Sequence, residues 1–177
     1  MLKVWVVSIL VLAFHSSVFA SLKDEIVTAR RSMKGPVTNK PSTALKKAQE
    51  VNLPVLCFVF DKRHKSGGDF GLHVRSFLKR DSIKEKIARN FVQGIFEKRQ
   101  KGIAEHIPED DPPERCRVMV ITPDGEVLLN EPITRNPETA DKYINRAIEK
   151  WERSRAQRSN WKYRRKAWYR ARIAKTL

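Results

Sequence analysis

PVLCFVF, residues 54–60, is an unbroken apolar run rich in β-branched and aromatic side chains. With no polar residue to turn toward water, it predicts a strand buried on both faces, as inside an α/β protein. Two similar runs follow: FVQGIF, residues 91–96, is expected to form a second strand, and RVMVIT, residues 117–122, a third. Pro123-Asp124-Gly125 then reads as a tight turn in which Gly can take positive φ. EVLLNE, residues 126–131, returns from it as a fourth strand, completing a hairpin.

Helical patterns fill the intervals. Ser42 is expected to cap a helix running to about Val51, with Ala44, Leu45 and Ala48 inward. Phe70 to Leu78 suggests another helix, and Asp81 or Ser82 could cap the next, with Ile83, Ile87 and Ala88 facing in. Residues 97–114 are polar, contain three prolines, and predict a loop around a short helical turn. Asn136-Pro137-Glu138 combines an Asn cap, Pro at the first helical position and an acid in the first turn. Behind it Ala140, Tyr143, Ile144, Ala147, Ile148 and Trp151 recur at helical spacing and predict a sheet-packing face. A strand, a helix and a second strand in succession argue for a parallel pair joined by a crossover. The expected fold is three-layer α/β/α, with a mixed sheet of about four strands.

The amino terminus decides where the protein works. Lys3 precedes an apolar run from Val4 to Phe14, interrupted only by Ser8, and Val18-Phe19-Ala20 offers a small residue for cleavage. This is the pattern of a secretory signal peptide, and the run falls short of the ~20 apolar residues that an uncleaved anchor would need. Residues 1–20 are therefore expected to be removed and the remainder exported to the periplasm or beyond the cell, where it could sit peripherally on a membrane. Residues 21–41 then form an amino-terminal segment and linker: a short helix over 21–34 with Leu22, Ile26 and Ala29 near one face, stopped by Gly35-Pro36.

Of the formal net charge of +16, residues 150–177 carry +10, from eleven Lys or Arg against the single acid Glu152. The basic character thus belongs to a tail, and it points to anionic partners. Only two cysteines occur, Cys57 and Cys116, too few for a disulfide framework. One disulfide between them is possible in an oxidising compartment. There is no Asn-x-Ser/Thr sequon.

Together, ALKKAQEVNLPVLCFVF (residues 44–60), RVMVITPDGEVL (117–128) and NPETADKYINRAIEKW (136–151) resemble the opening helix and central strand, the hairpin, and the closing helix of a thioredoxin-like domain. The resemblance spans residues 42–151. It implies that the loop after Phe60 is the counterpart of the family's Cys-x-x-Cys site, at which a helix N-terminus lowers a thiol's pKa. Here that loop reads DKRHKSGGDFG, residues 61–71, and holds no cysteine. Arg63, His64, Lys65, Ser66, Gly67 and Gly68 are thus the candidate vestigial site. The family's cis-proline falls at about Cys116, preceded by Arg115. Without an attacking thiolate in that loop, disulfide exchange lacks its usual chemistry, and the resemblance implies a redox-inactive binding domain.

Other site patterns are weaker. Cys116, flanked by Arg115 and Arg117, is the one catalytic candidate, since neighbouring cations favour a thiolate; the plain alternative is a small half-buried residue at a strand start. His64, His73 and His106 lack metal-ligand spacing, and a joint site of His64, His106 and Cys116 has no motif behind it, so no metal is expected. SGGDFG, residues 66–71, suggests a phosphate cradle but lacks the Lys-Ser/Thr ending of a P-loop. The acids Glu109, Asp110, Asp111 and Glu114 read as a solvated loop without calcium-loop alternation. No small-molecule cofactor is expected.

The tail, residues 152–177, contains no Pro or Gly, so helix is permitted throughout. Trp161 and Trp168 are seven apart, among Lys162, Tyr163, Arg164, Arg165, Lys166, Tyr169, Arg170 and Arg172. Aromatic rings with surrounding cations suit an interfacial amphipathic helix on anionic lipid. The expected partner is an anionic membrane surface, an acidic polysaccharide or an envelope protein; export makes nucleic acid a poorer fit. Packing of the tail on its own domain, or a solvated tail, are the structural alternatives. The sequence therefore predicts an exported binding or adaptor domain with a docking tail, with an atypical single-thiol oxidoreductase using Cys116 as the alternative.

Overall fold

A computed structural model describes residues 21–63, 69–113 and 115–173, with side chains as far as residue 158. The expected signal peptide and most of the expected vestigial loop, residues 64–68, lie outside the described residues, as do the side chains of the tail aromatics and cations from Trp161 onward.

The sheet is built on the apolar runs. Strands β2 (Val55–Phe60), β3 (Val92–Glu97) and β4 (Arg117–Ile121) are buried along their whole lengths. β5 (Val127–Pro132) follows the Pro-Asp-Gly turn, where Gly125 has φ +89°, a conformation that side-chain-bearing residues rarely adopt. A fifth strand, β1 (Val37–Thr38), corrects the expectation of about four: it lies in the stretch read as a linker and pairs in parallel with β3, Val37 opposite Gln93. The preceding helix ends at Ser32 with Met33 as its cap residue, already ahead of Gly35-Pro36, and two extended residues suffice to add an edge. Gln93 Nε2 donates to Lys34 O at 2.5 Å and fixes that edge in place.

The strand order is β1-β3-β2-β4-β5. β1, β3 and β2 run parallel, whereas β4 is antiparallel to β2 and β5 to β4. Among the described residues five α-helices cover this mixed sheet in three layers. Helices α1 (Leu22–Ser32), α3 (Phe70–Phe77), α4 (Asp81–Asn90) and α5 (Pro137–Ile173) share one core, with Phe58, Phe77, Ile144 and Trp151 among its buried side chains. On the opposite face α2 (Pro41–Val51) packs Ala44 and Ala48 against Cys57, Val59, Phe96 and Met119.

The helix ends follow local chemistry, with two corrections. Ser21 caps α1 in a reciprocal box with Asp24, and Asn136 Oδ1 accepts from the Glu138 and Thr139 amides at the start of α5. Ser42 does not cap α2: Lys40 is the cap residue and Pro41 takes the first helical position. Neither Asp81 nor Ser82 caps α4: Arg80 is the cap residue and Asp81 is already the first helical one; Ile83 and Ile87 are buried as expected, but Ala88 is exposed. Its small side chain belongs to the outer surface of the helix.

Helix α5 does not end at Trp151. It is one 37-residue helix, and residue 152 begins no new element. It descends against the rising β5: Arg146 pairs with Glu131, Lys150 donates to the Leu128 carbonyl, and Arg158 pairs with Asp124 and Glu126 at the hairpin turn. Among the described residues no helix is long and apolar enough to cross a membrane.

Candidate functional site

β2 and β3 finish side by side, Phe60 opposite Glu97, and β4 begins beside them at Arg117. In open α/β sheets ligands bind outside the carboxyl ends of the parallel strands, and here the residues leaving those ends are charged. Asp61, 3 % exposed, follows β2 directly. It accepts from the Arg63 amide at 2.9 Å and from the guanidinium at 2.6–3.2 Å. These bonds hold the Asp61 carboxyl below its ordinary range despite the opposing effect of burial, and they raise the Arg63 guanidinium. Glu97 is buried too, and its Oε1 has no hydrogen-bond partner among the described residues. His64 to Gly68, the rest of the expected vestigial loop, lie outside the described residues.

A second group anchors the chain between β3 and β4. Lys98 Nζ donates to Asp111 Oδ2 at 2.5 Å and to the Pro112 carbonyl at 2.8 Å. Arg117 donates to Asp111 Oδ1 at 2.6 Å and to both the side chain and the carbonyl of Asn130. Asn130 in turn donates to the His106 carbonyl. The expected solvated acidic loop is corrected here: Glu109 and Asp110 are exposed, but the Asp111 side chain is fully buried because two buried cations converge on it. This network also occupies Arg117, one of the two cations expected to activate Cys116.

Cys116 itself packs, partly buried, on the α1–α3–α5 side of the sheet. Burial pushes its thiol up to about 11; Lys98 opposes that shift, while Asp69, Asp111 and Glu25 reinforce it. Burial, the largest influence on this thiol, thus runs against the activation expected from the flanking arginines. Cys57 points into the opposite core, and burial raises its thiol further. The two thiols thus face opposite sides of the sheet, and the register sets Cys57 against Met119, three residues from Cys116.

The N-terminus of α3, where the family resemblance implies a reactive thiol, has a different anion. The Gly71 amide donates to Glu25 Oε2 at 2.6 Å, so a carboxylate from α1 occupies the positive end of the helix. Gly71 is needed for the approach, since a Cβ there would lie 2.5 Å from Glu25 Oε2 and 2.8 Å from Glu25 O. Arg135 pairs with Asp69 beside it at 3.1 Å. Burial, aided by Arg135 and opposed by Asp69 and Glu25, holds His73 below the ordinary imidazole range, and its Nδ1 is buried without a hydrogen-bond partner among the described residues. Ile103 and Ile107, which flank the turn that holds His106, pack in the α2-side core, whereas Cys116 packs on the other side of the sheet. Among the described residues no group of three or more His, Cys, Asp or Glu side chains is arranged to hold a metal ion.

Of the residues marked in the sequence, the structure thus brings Arg63 and Cys116 to one end of the sheet. Asp61, Glu97, Lys98, Asp111 and Glu25 were missed. The available signal was charge immediately after a buried apolar run, Asp61 after β2 and Glu97-Lys98 at the end of β3, where only a rim or a paired site can hold it. Compared with protein-family models and with curated proteins, the sequence matches none.

Proposed function

We propose that the chain is an exported thioredoxin-like protein that has given up disulfide exchange and acts as a binding or adaptor domain. Its basic carboxyl-terminal helix docks on an anionic surface or partner, and the charged strand-end rim around Asp61, Arg63 and Glu97 is what it presents. The single observation that carries the fold reading is the strand order β1-β3-β2-β4-β5, with a parallel half joined to an antiparallel hairpin. It is joined by a loop without cysteine where the family keeps its thiol pair, and by Glu25 on the helix end that such a thiol would use.

The test has three parts. The exported protein should begin at Ser21 by amino-terminal sequencing; retention of residues 1–20 would refute processing. Cys116→Ser should leave thiol–disulfide exchange with a model disulfide unchanged from its background, and a loss of measurable exchange would restore the oxidoreductase alternative. Replacing Lys162, Arg164, Arg165 and Lys166 with Gln should abolish salt-sensitive binding to anionic vesicles or polysaccharide; undiminished binding would remove the tail from the account.

A further inference from the structure

β5 is an edge of the sheet, and an edge strand turns a row of backbone groups outward, where another strand can pair with them. The ladder fixes which groups those are. The Ile133 amide donates to the Cys116 carbonyl at 2.9 Å, and bonded and non-bonded pairs alternate along an antiparallel ladder. The register Arg117–Pro132, Val118–Glu131, Met119–Asn130 therefore puts Asn130 and Pro132 in non-bonded pairs, with their backbone groups directed away from β4. Leu128 is the extra residue of a bulge, since Val127 and Leu129 already face Ile121 and Val120. Each of these three positions is blocked. Pro132 has no N–H to give. The Asn130 carbonyl accepts from Arg117 Nη2 at 3.1 Å, and the Leu128 carbonyl accepts from Lys150 Nζ at 3.0 Å. Arg117 alternates with Val118 and so shares the α2-covered face with Met119, whereas Lys150 comes from α5 on the opposite face. The edge is clipped from both sides. At the other edge of the sheet, β1 is only 2 residues long.

We infer that Lys150 and Arg117 guard this edge, keeping β5 from pairing with β5 of a second copy of the chain. A second copy is the partner to exclude because it brings the same strand in a fitting sense. A two-fold axis at Asn130 would set Asn130 against the partner's Asn130 and Leu128 against the partner's Pro132, extending the antiparallel half of the sheet. To pair this way, both outward carbonyls must exchange a charged donor for a neutral one, and the displaced ammonium and guanidinium would stand at the new interface without those acceptors. The guards are held from behind. Arg117 also donates to Asp111 and to Asn130 Oδ1, and Lys150 directly precedes Trp151, which is buried in the core. The bulge adds to the barrier by displacing the outward groups from the regular spacing that a new strand needs. The domain therefore meets other molecules through side chains rather than by lending the β5 edge.

The experiment follows the mass of the chain, as the producing cell exports it, by sedimentation velocity over a concentration series. Wild type, Lys150→Met and the double variant Lys150→Met/Pro132→Val are compared. Met keeps the stem and suits the helix but removes the ammonium; Val restores an N–H and suits a strand. The double variant should self-associate at a concentration at least about tenfold below that of the wild type, a change equivalent to roughly one ladder hydrogen bond. Lys150→Met should fall between the two. In the associated form the amides of residues 128–131 should exchange with deuterium more slowly than in dilute solution. Lys46→Met removes an exposed charge from α2, which packs on β1 to β3, and should behave as the wild type. A double variant no more prone to associate than the wild type would overturn the guard. An equal shift from Lys46→Met would also overturn it, by making charge alone the cause. So would association that leaves exchange at 128–131 unchanged, because the contact would then lie elsewhere. If Pro132→Val impairs folding, Lys150→Met alone decides by the same criteria.

Discussion

The two faces of the sheet are closed by different physics. One face is covered by four helices over an apolar core, with Phe58 and Phe77 packed edge to face at 5.4 Å. The other has only α2, and the rest is sealed by the irregular stretch between β3 and β4, which contributes Ile103 and Ile107. Irregular chain leaves backbone groups that no ladder satisfies. Lys98 and Asn130 satisfy some of them, reaching the Pro112 and His106 carbonyls, while Asp111 and Arg117 hold the two in place. Where a helix would bring its own hydrogen bonds, this segment is tied down by buried charge.

The comparison breaks most directly at Asp111 and Phe58. Asp111→Ala strands two buried cations and should cost about 3–5 kcal/mol in denaturant unfolding. Phe58→Ala should cost a similar ~3–5 kcal/mol by opening a cavity. An Asp111→Ala cost below about 1 kcal/mol, the surface-pair range, would mean that the network is not what closes that face. Hydrogen exchange should separate the two variants, with Asp111→Ala speeding residues 98–116 first.

Gly71→Ala sharpens the helical side. Its Cβ would collide with the Glu25 carboxylate and carbonyl, so α1 must shift from α3 at roughly 1–3 kcal/mol. Unchanged stability would show that α1 docks loosely. The same side carries a pH signature. The folded His73 pKa lies below the unfolded value near 6.5, so the unfolded chain binds the proton first. Stability from this group is complete above that value and falls as pH drops toward the folded pKa. Asp61 follows the same sign at lower pH: its contribution is present above the ordinary carboxylate value and is lost as pH falls through its depressed one. His73→Phe should flatten the slope of stability just below pH 6.5, as read from urea midpoints; an unaltered slope would assign it elsewhere. Arg158→Ala should have the smallest effect, under about 1 kcal/mol, because its pairs with Asp124 and Glu126 are partly solvated.

Much of the fold was legible because its signals are local. Val55–Phe60 has no polar residue to expose, Pro123-Asp124-Gly125 can only turn, and Asn136-Pro137 starts a helix from its own side chain and ring. β1 was not legible, since two residues carry no periodicity and their strand character comes from pairing with β3. The candidate site was legible only in part, for the same reason. The absence of cysteine from residues 61–71 and the position of that loop after the first apolar run are facts of sequence. By contrast, Asp111 reads as one of several loop acids, and its burial depends on Lys98 and Arg117 arriving from two different strands. Likewise Cys116 looks activated between two arginines, yet the sheet buries its thiol and Arg117 turns to Asp111. Local chemistry thus determined β2 to β5, the hairpin turn, the Asn136 cap and the total charge by itself. Which charges are paired, which are buried, and which end of the domain the long helix leaves were decided by contacts between residues far apart in the chain, whose burial no local pattern encodes.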